Sequence, residues 1–400
     1  MRLGLLCAAT VLCFGVLGQT QCPTEDMNSA EPTGSQGSPP APPPEPAPTP
    51  SGPTDGNQDD YTPPAVPWDG VSCPIIINEV LAHSDNEAPD WIELHNIANA
   101  PVNIGGWLLS DREDDLRKFR VPANTVVEPL GYIVFYQSTD FGNPANPNTL
   151  TPFALTENGE TVYLYSDDDP QFPDCLVEET VGPSERNWSL GRHTTSDGNY
   201  HFTTMSRTTV GAANAYPLVG PVVINEIMYD PATNYTEYVE LLNISDQPVI
   251  LFDTVSEKPW RFINDSGVEM RFPADAPVTM ASGEYLLVVR NASDLRVSVP
   301  PNVKVFEWRS GKLGNRDDTV LLVKPGDEDE KGTRYWIEVD RVDYSDGLQG
   351  DNFPNNGNVD PWPPAPETSG MSLNRISPDK FGNDPSNWRA AAPTPGAVNN

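Results

Sequence analysis

The residues best suited to chemistry are oxygen donors that occur twice in the same order. Glu79, Asp90, Glu93 and Asn96 recur as Glu226, Glu237, Glu240 and Asn243. Carboxylates and amides of this kind are the ligands Ca²⁺ prefers. Two readings are open: a calcium site in each copy, or a structural set. In the structural reading Glu93 and Glu240 lie on the solvated face of an alternating strand, and Asn96 and Asn243 make the turn after it. The structural reading is preferred and no metal is assigned, because no loop carries the EF-hand pattern. "DREDD", Asp111 to Asp115, lacks the required glycine and distal glutamate. "DDD" at Asp167–Asp169 and "DEDE" at Asp327–Glu330 read as solvated hairpin tips.

Catalytic chemistry finds little support. The four histidines, His83, His95, His193 and His201, all precede the second copy, and none has a partner at zinc-binding spacing. No G-x-S-x-G elbow, P-loop or dinucleotide-binding glycine pattern occurs. Neither a histidine nor a nucleophile keeps its place in both copies. The expectation is a non-enzymatic chain without a cofactor. Trp91, Trp107, Trp188, Trp260 and Trp388 are expected in the core rather than on a carbohydrate platform.

One polar pair is harder to place. "IINEV", Ile76 to Val80, and "VINEI", Val223 to Ile227, set Asn and Glu inside runs of apolar β-formers. Simple alternation puts Asn78 on the face of Ile76 and Val80, with Glu79 on the other. A buried amide without a partner costs on the order of 1–3 kcal/mol. Asn78 and Asn225 are therefore expected to bond backbone groups of a neighbouring strand or turn.

The elements that carry these residues form a tandem. Asn78 and Asn225 are 147 residues apart, and "DWIELHN", Asp90 to Asn96, realigns on "EYVELLN", Glu237 to Asn243, at the same offset. "GYIVF" from Gly131 then answers "GEYLLVV" from Gly283, and "GETVYLY" from Gly159 answers "DDTVLLV" from Asp317. "WSLGR", Trp188 to Arg192, answers "MSLNR", Met371 to Arg375, and each copy closes on a turn, "TVGAAN" or "TPGAVN". Units this long are duplicated domains rather than solenoid turns. Short runs of Val, Ile, Tyr and Trp between Gly, Pro, Asn and Asp clusters predict strands, and no long 3.6-period stripe predicts a helix. In "DWIELHN", Ile92 and Leu94 share one face, and Trp91, Glu93 and His95 the other.

These phrases resemble a known family. "INE(V/I)", then "(D/E)-aromatic-(I/V)-E-L-x-N", then "G-x-W-x-L-x-D" at Gly105 to Asp111, is similar to the lamin-tail domain, and the closing phrases resemble its bacterial members. The resemblance covers roughly residues 73–216 and 221–399. In the second copy "GWLLSD" has become "KPWRF", Lys258 to Phe262, so only Trp260 survives, and extra acidic loops appear at Lys324–Arg334 and Leu348–Thr368. The resemblance implies an all-β chain of two tandem immunoglobulin-like β-sandwiches, at 71–216 and 217–400. The four residues from Tyr216 to Val219 are expected to make a restricted joint.

The front of the chain is different. Residues 3–18 are apolar behind Arg2 and too short to span a bilayer, which reads as a signal peptide over 1–18. Residues 19–70 read as a disordered, proline-rich tether: "PPAPPPEPAPTPSGP" holds nine prolines in fifteen residues and favours extended polyproline II. Cleavage after Gly18 leaves Cys22, Cys73 and Cys175. In an immunoglobulin-like sandwich the segments of Cys73 and Cys175 can lie side by side, so those two are paired. Cys22 is left at the mouth of the tether, where a lipid anchor belongs, although Gln19-Thr20-Gln21 is a poor lipobox. Lipidation and plain secretion both stay open.

Acidic residues number 57 against 24 basic ones, a net charge of −33. That field disfavours nucleic acid and anionic lipid, and leaves contact with a membrane only through an anchor at Cys22. It reads as a self-repelling surface, or as attraction for cations or basic partners. The functional expectation is an exported or cell-surface adhesion or interaction scaffold, binding a protein or surface polymer. The alternative is an accessory module of an extracellular nuclease or other hydrolase.

Overall fold

The computed structural model describes residues 61–66, 68–70, 72–84, 89–167, 169–329, 331–349, 353, 356–364 and 370–399. The segment expected to be a signal peptide, Cys22 and most of the expected tether lie outside the described residues. The described residues all fall in one compact unit. It is all-β.

The first copy is built on two larger antiparallel sheets, beside a two-stranded pair of Val102–Asn103 with Val126–Val127. The opening strand, Ile75–Leu81, lies at the centre of a five-stranded sheet, between Trp91–Asn96 and Leu190–Thr194. Tyr132–Tyr136 and Tyr200–Thr204 form its two edges. The facing sheet runs Phe119–Arg120, Leu108–Ser110, Glu160–Tyr165, Leu176–Val181. Ile75, Ile77, Ile92, Leu94, Trp107, Phe119, Val162 and Leu164 fill the space between them. This is the alternation of inward residues expected of a sandwich.

The second copy repeats the plan. Val222–Met228 lies between Tyr238–Asn243 and Ser372–Arg375, and Tyr285–Val289 follows as Tyr132–Tyr136 does in the first copy. Its facing sheet ends in a long hairpin, Asp317–Glu328 with Arg334–Ser345. Here the copies differ, because a further strand, Lys304–Glu307, adds parallel to Tyr285–Val289. Trp260 enters the core despite the loss of its surrounding phrase. All five tryptophans named from the sequence are buried.

Cys73 and Cys175 are joined in a disulfide, with Cα atoms 5.4 Å apart. It ties the lead-in to the opening strand to the edge of the facing sheet.

The two sandwiches meet. Lys324 of the long hairpin pairs with Glu185, and its Asp327 lies 3.7 Å from His83. At the joint, the hydroxyl of Tyr216 accepts from the Phe381 amide at 2.8 Å. His193 packs edge-on against Tyr216 and Phe381. The tether also ends earlier than the sequence suggests. Tyr61 packs against Tyr216 with ring centroids 4.9 Å apart, and its hydroxyl lies 3.0 Å from His193 Nδ1. One aromatic in a polar run is enough to pin the segment.

Candidate functional site

Asn78, Glu79 and Glu93, and in the second copy Asn225, Glu226 and Glu240, converge on the outer face of each main sheet, and a bulge aligns the opening-strand pair with it. Ile77 pairs with Leu94 but Glu79 pairs with Glu93, so Asn78 is an extra residue in the opening strand. The second copy slips at the same place, between Ile224 and Glu226. A bulge resets the alternation. Ile75, Ile77 and Val80 face the core, while Asn78 and Glu79 both bond groups on the opposite side. The expectation that they point to opposite faces is thus corrected.

On that outer face they hold the closing turn. Glu79 accepts from Ser189 Oγ at 2.5 Å, Thr209 Oγ1 at 2.5 Å and the Thr209 amide at 3.2 Å. Glu93 accepts from Asn78 Nδ2 at 2.8 Å and from the Gly211 amide at 2.5 Å. Asn78 Nδ2 also donates to Asn214 Oδ1 at 2.6 Å, and Asn214 Nδ2 returns bonds to the carbonyls of Asn78 and Arg192.

The second copy repeats the arrangement. Ser372, Thr394 and its amide bond Glu226; Asn225 Nδ2 and the Gly396 amide bond Glu240; Asn399 bonds the carbonyls of Asn225 and Arg375. Gly211 and Gly396 have φ of 75° and 78°, the left-handed region where glycine carries least strain.

Two expectations fail here. Glu93 and Glu240 are 0 % exposed, as are Glu79 and Glu226, because the closing turn covers the face that alternation alone would leave to water. Asn78 and Asn225 bond a carboxylate and a second asparagine through their amides, not backbone groups. Asn96 and Asn243 do make the following turn: each accepts from the amide two residues on and donates to three carbonyls.

Asp90 and Glu237 stand apart from the four glutamates. Asp90 accepts from the Ser84 amide, and Glu237 from Arg290 and the Leu313 amide. The eight calcium candidates are thus divided among separate protein donors. Among the described residues, no three His, Cys, Asp or Glu side chains gather as a metal site would need.

Burial sets the electrostatics. Desolvation pushes Glu93 and Glu240 up to about 8, against the pull of their hydrogen bonds. It raises Glu79 and Glu226 too, opposed by their serine and threonine donors. His193, sunk among rings at the joint, is lowered by burial to about 4.

A model of the Lamin Tail Domain family matches residues 71–172 and 217–346, more than half of the chain. The chain belongs to the lamin tail domain family. It carries two tandem copies. No curated protein is similar enough to be matched with it. Lamin tail domains are immunoglobulin-like binding or scaffold modules rather than catalytic ones. Both family matches end before the closing turn, so the residues that complete each latch lie beyond them.

Those residues are what sequence reasoning missed. Ser189, Arg192, Thr209 and Asn214, with Ser372, Arg375, Thr394 and Asn399, sit inside phrases that the sequence identifies only as repeated. Their signal was a hydroxyl, a guanidinium and an amide kept in order in both copies. Arg375 is fully buried, bonds Asp340 at 2.6 Å and donates to the Ile224 carbonyl. Arg192 pairs likewise with Glu179 at 2.7 Å. Each arginine ties the main sheet to the facing one.

The first acidic hairpin tip also differs from expectation, whereas Asp327 and Glu328 of the second are exposed as expected. Asp167 pairs with Arg117 and Arg120, and Asp169 accepts from the buried Trp107 indole at 2.9 Å. Both are anchors rather than solvated charges.

Between the two lamin tail domains lies a cavity of about 490 Å³. Trp188, Tyr200, Trp336 and Phe381 contribute rings to its walls, and Glu185, Lys324 and Glu338 contribute charge. None of these residues was singled out from the sequence as a binding residue.

Proposed function

We propose that this chain is an exported, non-enzymatic scaffold: two lamin tail domains presented beyond a proline-rich tether, engaging a protein or surface polymer through surfaces that are not repeated. The carrying observation is where the repeated polar groups go. In both copies the glutamates, hydroxyls and amides are buried against the closing turn, so the duplicated chemistry is spent on the fold. A site for a ligand must be sought elsewhere, and the inter-domain cavity is one candidate. The disulfide supports an oxidising compartment. The apolar leader and the leftover Cys22 support export, by secretion or as a cell-surface lipoprotein.

The test combines location and activity. The scaffold reading expects mature protein in the surface or secreted fraction, starting at Gln19 or carrying lipid at Cys22. It also expects no turnover of nuclease, esterase or glycosidase substrates by the purified chain. Cytoplasmic retention or measurable hydrolysis counts against it.

A further inference from the structure

We propose that the open edge of the first domain's main sheet, Tyr132–Tyr136, takes up an extended segment of a partner polypeptide led by a lysine or arginine, which adds parallel to it as a further strand. This rests on the scaffold reading and supplies its ligand class.

The second domain already contains such an addition. There the connection after Tyr285–Val289 lays Lys304–Glu307 parallel along that strand. The corresponding connection of the first domain goes to the other sheet: Thr149 bridges to Phe119, and the amides of Leu150 and Thr151 donate to the Lys118 carbonyl. Tyr132–Tyr136 is thereby left as an edge. The Gly131 carbonyl accepts from Asn96 and the Gln137 amide donates to Asp90, so odd residues bond the neighbouring strand and even ones face outward. Tyr136 is closed by Asp140, whose carboxylate accepts from its amide at 2.9 Å and whose amide donates to its carbonyl at 2.8 Å. Among the described residues, no hydrogen bond reaches the outward amides and carbonyls of Tyr132 and Val134. Ile133 and Val134 are half-buried, whereas their counterparts beside the added strand, Leu286 and Leu287, are 0 % exposed. An edge with unused main-chain groups and uncovered apolar faces is a template for a further strand.

Two residues beside the edge select the occupant. In the second domain the added strand begins at Lys304, which pairs with Glu284. Gly131 stands in that place in the first domain, and a side chain there would start 3.4 Å from Glu128 Cβ. Glu128 is exposed and, among the described residues, its carboxylate has no cationic partner. A lysine or arginine at the head of an added strand meets it. Leu130 is the second residue. It is 50 % exposed with φ of 56°, where the matching turn of the second domain has Gly283 at 72°. Glycine holds such a turn with less strain, so an exposed leucine there serves the surface rather than the fold.

The experiment titrates the full-length chain calorimetrically with the end-blocked peptide Asn-Val-Lys-Val-Phe-Glu-Trp-Arg, the sequence of residues 302–309. In the second domain the Trp308 amide donates to the Val289 carbonyl, so the amides of Lys304 and Phe306 face the same way and those of Val305 and Glu307 face out. The peptide is expected to bind. N-methylation at its lysine and phenylalanine is expected to weaken binding at least about tenfold, since main-chain bonds supply the affinity. N-methylation at its second valine and its glutamate is expected to change binding less than about twofold. Leu130→Gly is expected to weaken the unmodified peptide about threefold while the melting temperature stays equal or rises, which a purely structural leucine would not do. Glu128→Gln is expected to weaken it about twofold. No binding at millimolar peptide, equal losses with the two N-methylated forms, or full affinity in both variants overturns the proposal. Those outcomes leave the scaffold reading to stand or fall on its own location and turnover assays.

Discussion

Asn78 and Asn214 clasp each other across 136 residues of chain: the amide of Asn78 donates to Asn214 Oδ1 at 2.6 Å, and the amide of Asn214 donates to the Asn78 carbonyl at 3.1 Å. The same hand-hold closes the second domain between Asn225 and Asn399, at 3.4 Å and 2.9 Å, with Asn225 Oδ1 left unpaired. The first and last phrases of each domain are thus fastened on the outer face of the main sheet, under cover of the closing turn.

Removing one hand is expected to cost stability. Asn214→Ala strands the buried Asn78 amide edge and two carbonyls, a loss of about 1–3 kcal/mol. For a domain of this size each kcal/mol moves the melting temperature by roughly 2–4 °C. Asn399→Ala is expected to cost less, because its contact with the Asn225 amide is already long. Calorimetry of both variants checks the order, and equal or reversed losses speak against it.

The buried glutamates predict a direction with pH. Glu93 and Glu240 bind a proton more tightly when folded, at about 8, than their ordinary value of 4.5. Between those values the folded chain holds protons that the unfolded chain has lost. Their contribution to stability is therefore full below 4.5, falls as pH rises, and is level again above about 8. Melting temperatures of the native chain and of Glu93→Gln/Glu240→Gln, taken from pH 5 to 9, isolate this term. The native chain is expected to lose more on going from pH 5 to 8 than the variant does.

The disulfide is expected to matter to one domain only. Opening the Cys73–Cys175 bond frees a sequence separation of 102 residues, for which chain entropy gives roughly 4–5 kcal/mol as an upper figure. The second domain has no cysteine and needs no bridge. Two melting transitions are expected after mild reduction, with only that of the first domain displaced.

Arg375 and Asp340 form a pair with no access to water on the arginine and little on the aspartate. Replacing Asp340 by Ala leaves a buried guanidinium without its partner, which costs about 3–5 kcal/mol. Denaturant unfolding of Asp340→Ala is expected to lose the second domain at lower concentration than any latch variant.

Much of the architecture was legible in the sequence because it is written in apolar spacing. Ile92 and Leu94 alternate inward, Trp107 and Trp260 hold their places, and the 147-residue offset carries the two opening strands onto each other. The resemblance of the opening phrases to lamin tail domains pointed to the same sandwich. What escaped was the meaning of the polar residues. Alternation assumes an unbroken strand, and the bulge at Asn78 breaks it by one residue. Glu93 looked solvated because nothing in its own strand shows that a turn 118 residues later will cover it. The cavity was invisible for a similar reason, since its walls come from edges of two different domains.

Hydrogen exchange at the Gly211 and Gly396 amides tests the latch most directly. Both belong to surface turns, which ordinarily exchange fast, yet both donate to a buried glutamate. Slow exchange is predicted at the two glycines in the native chain. In Glu93→Ala and Glu240→Ala, exchange at the corresponding glycine is predicted to accelerate while the central strands stay protected. Exchange at free-peptide rates in the native chain would contradict the latch.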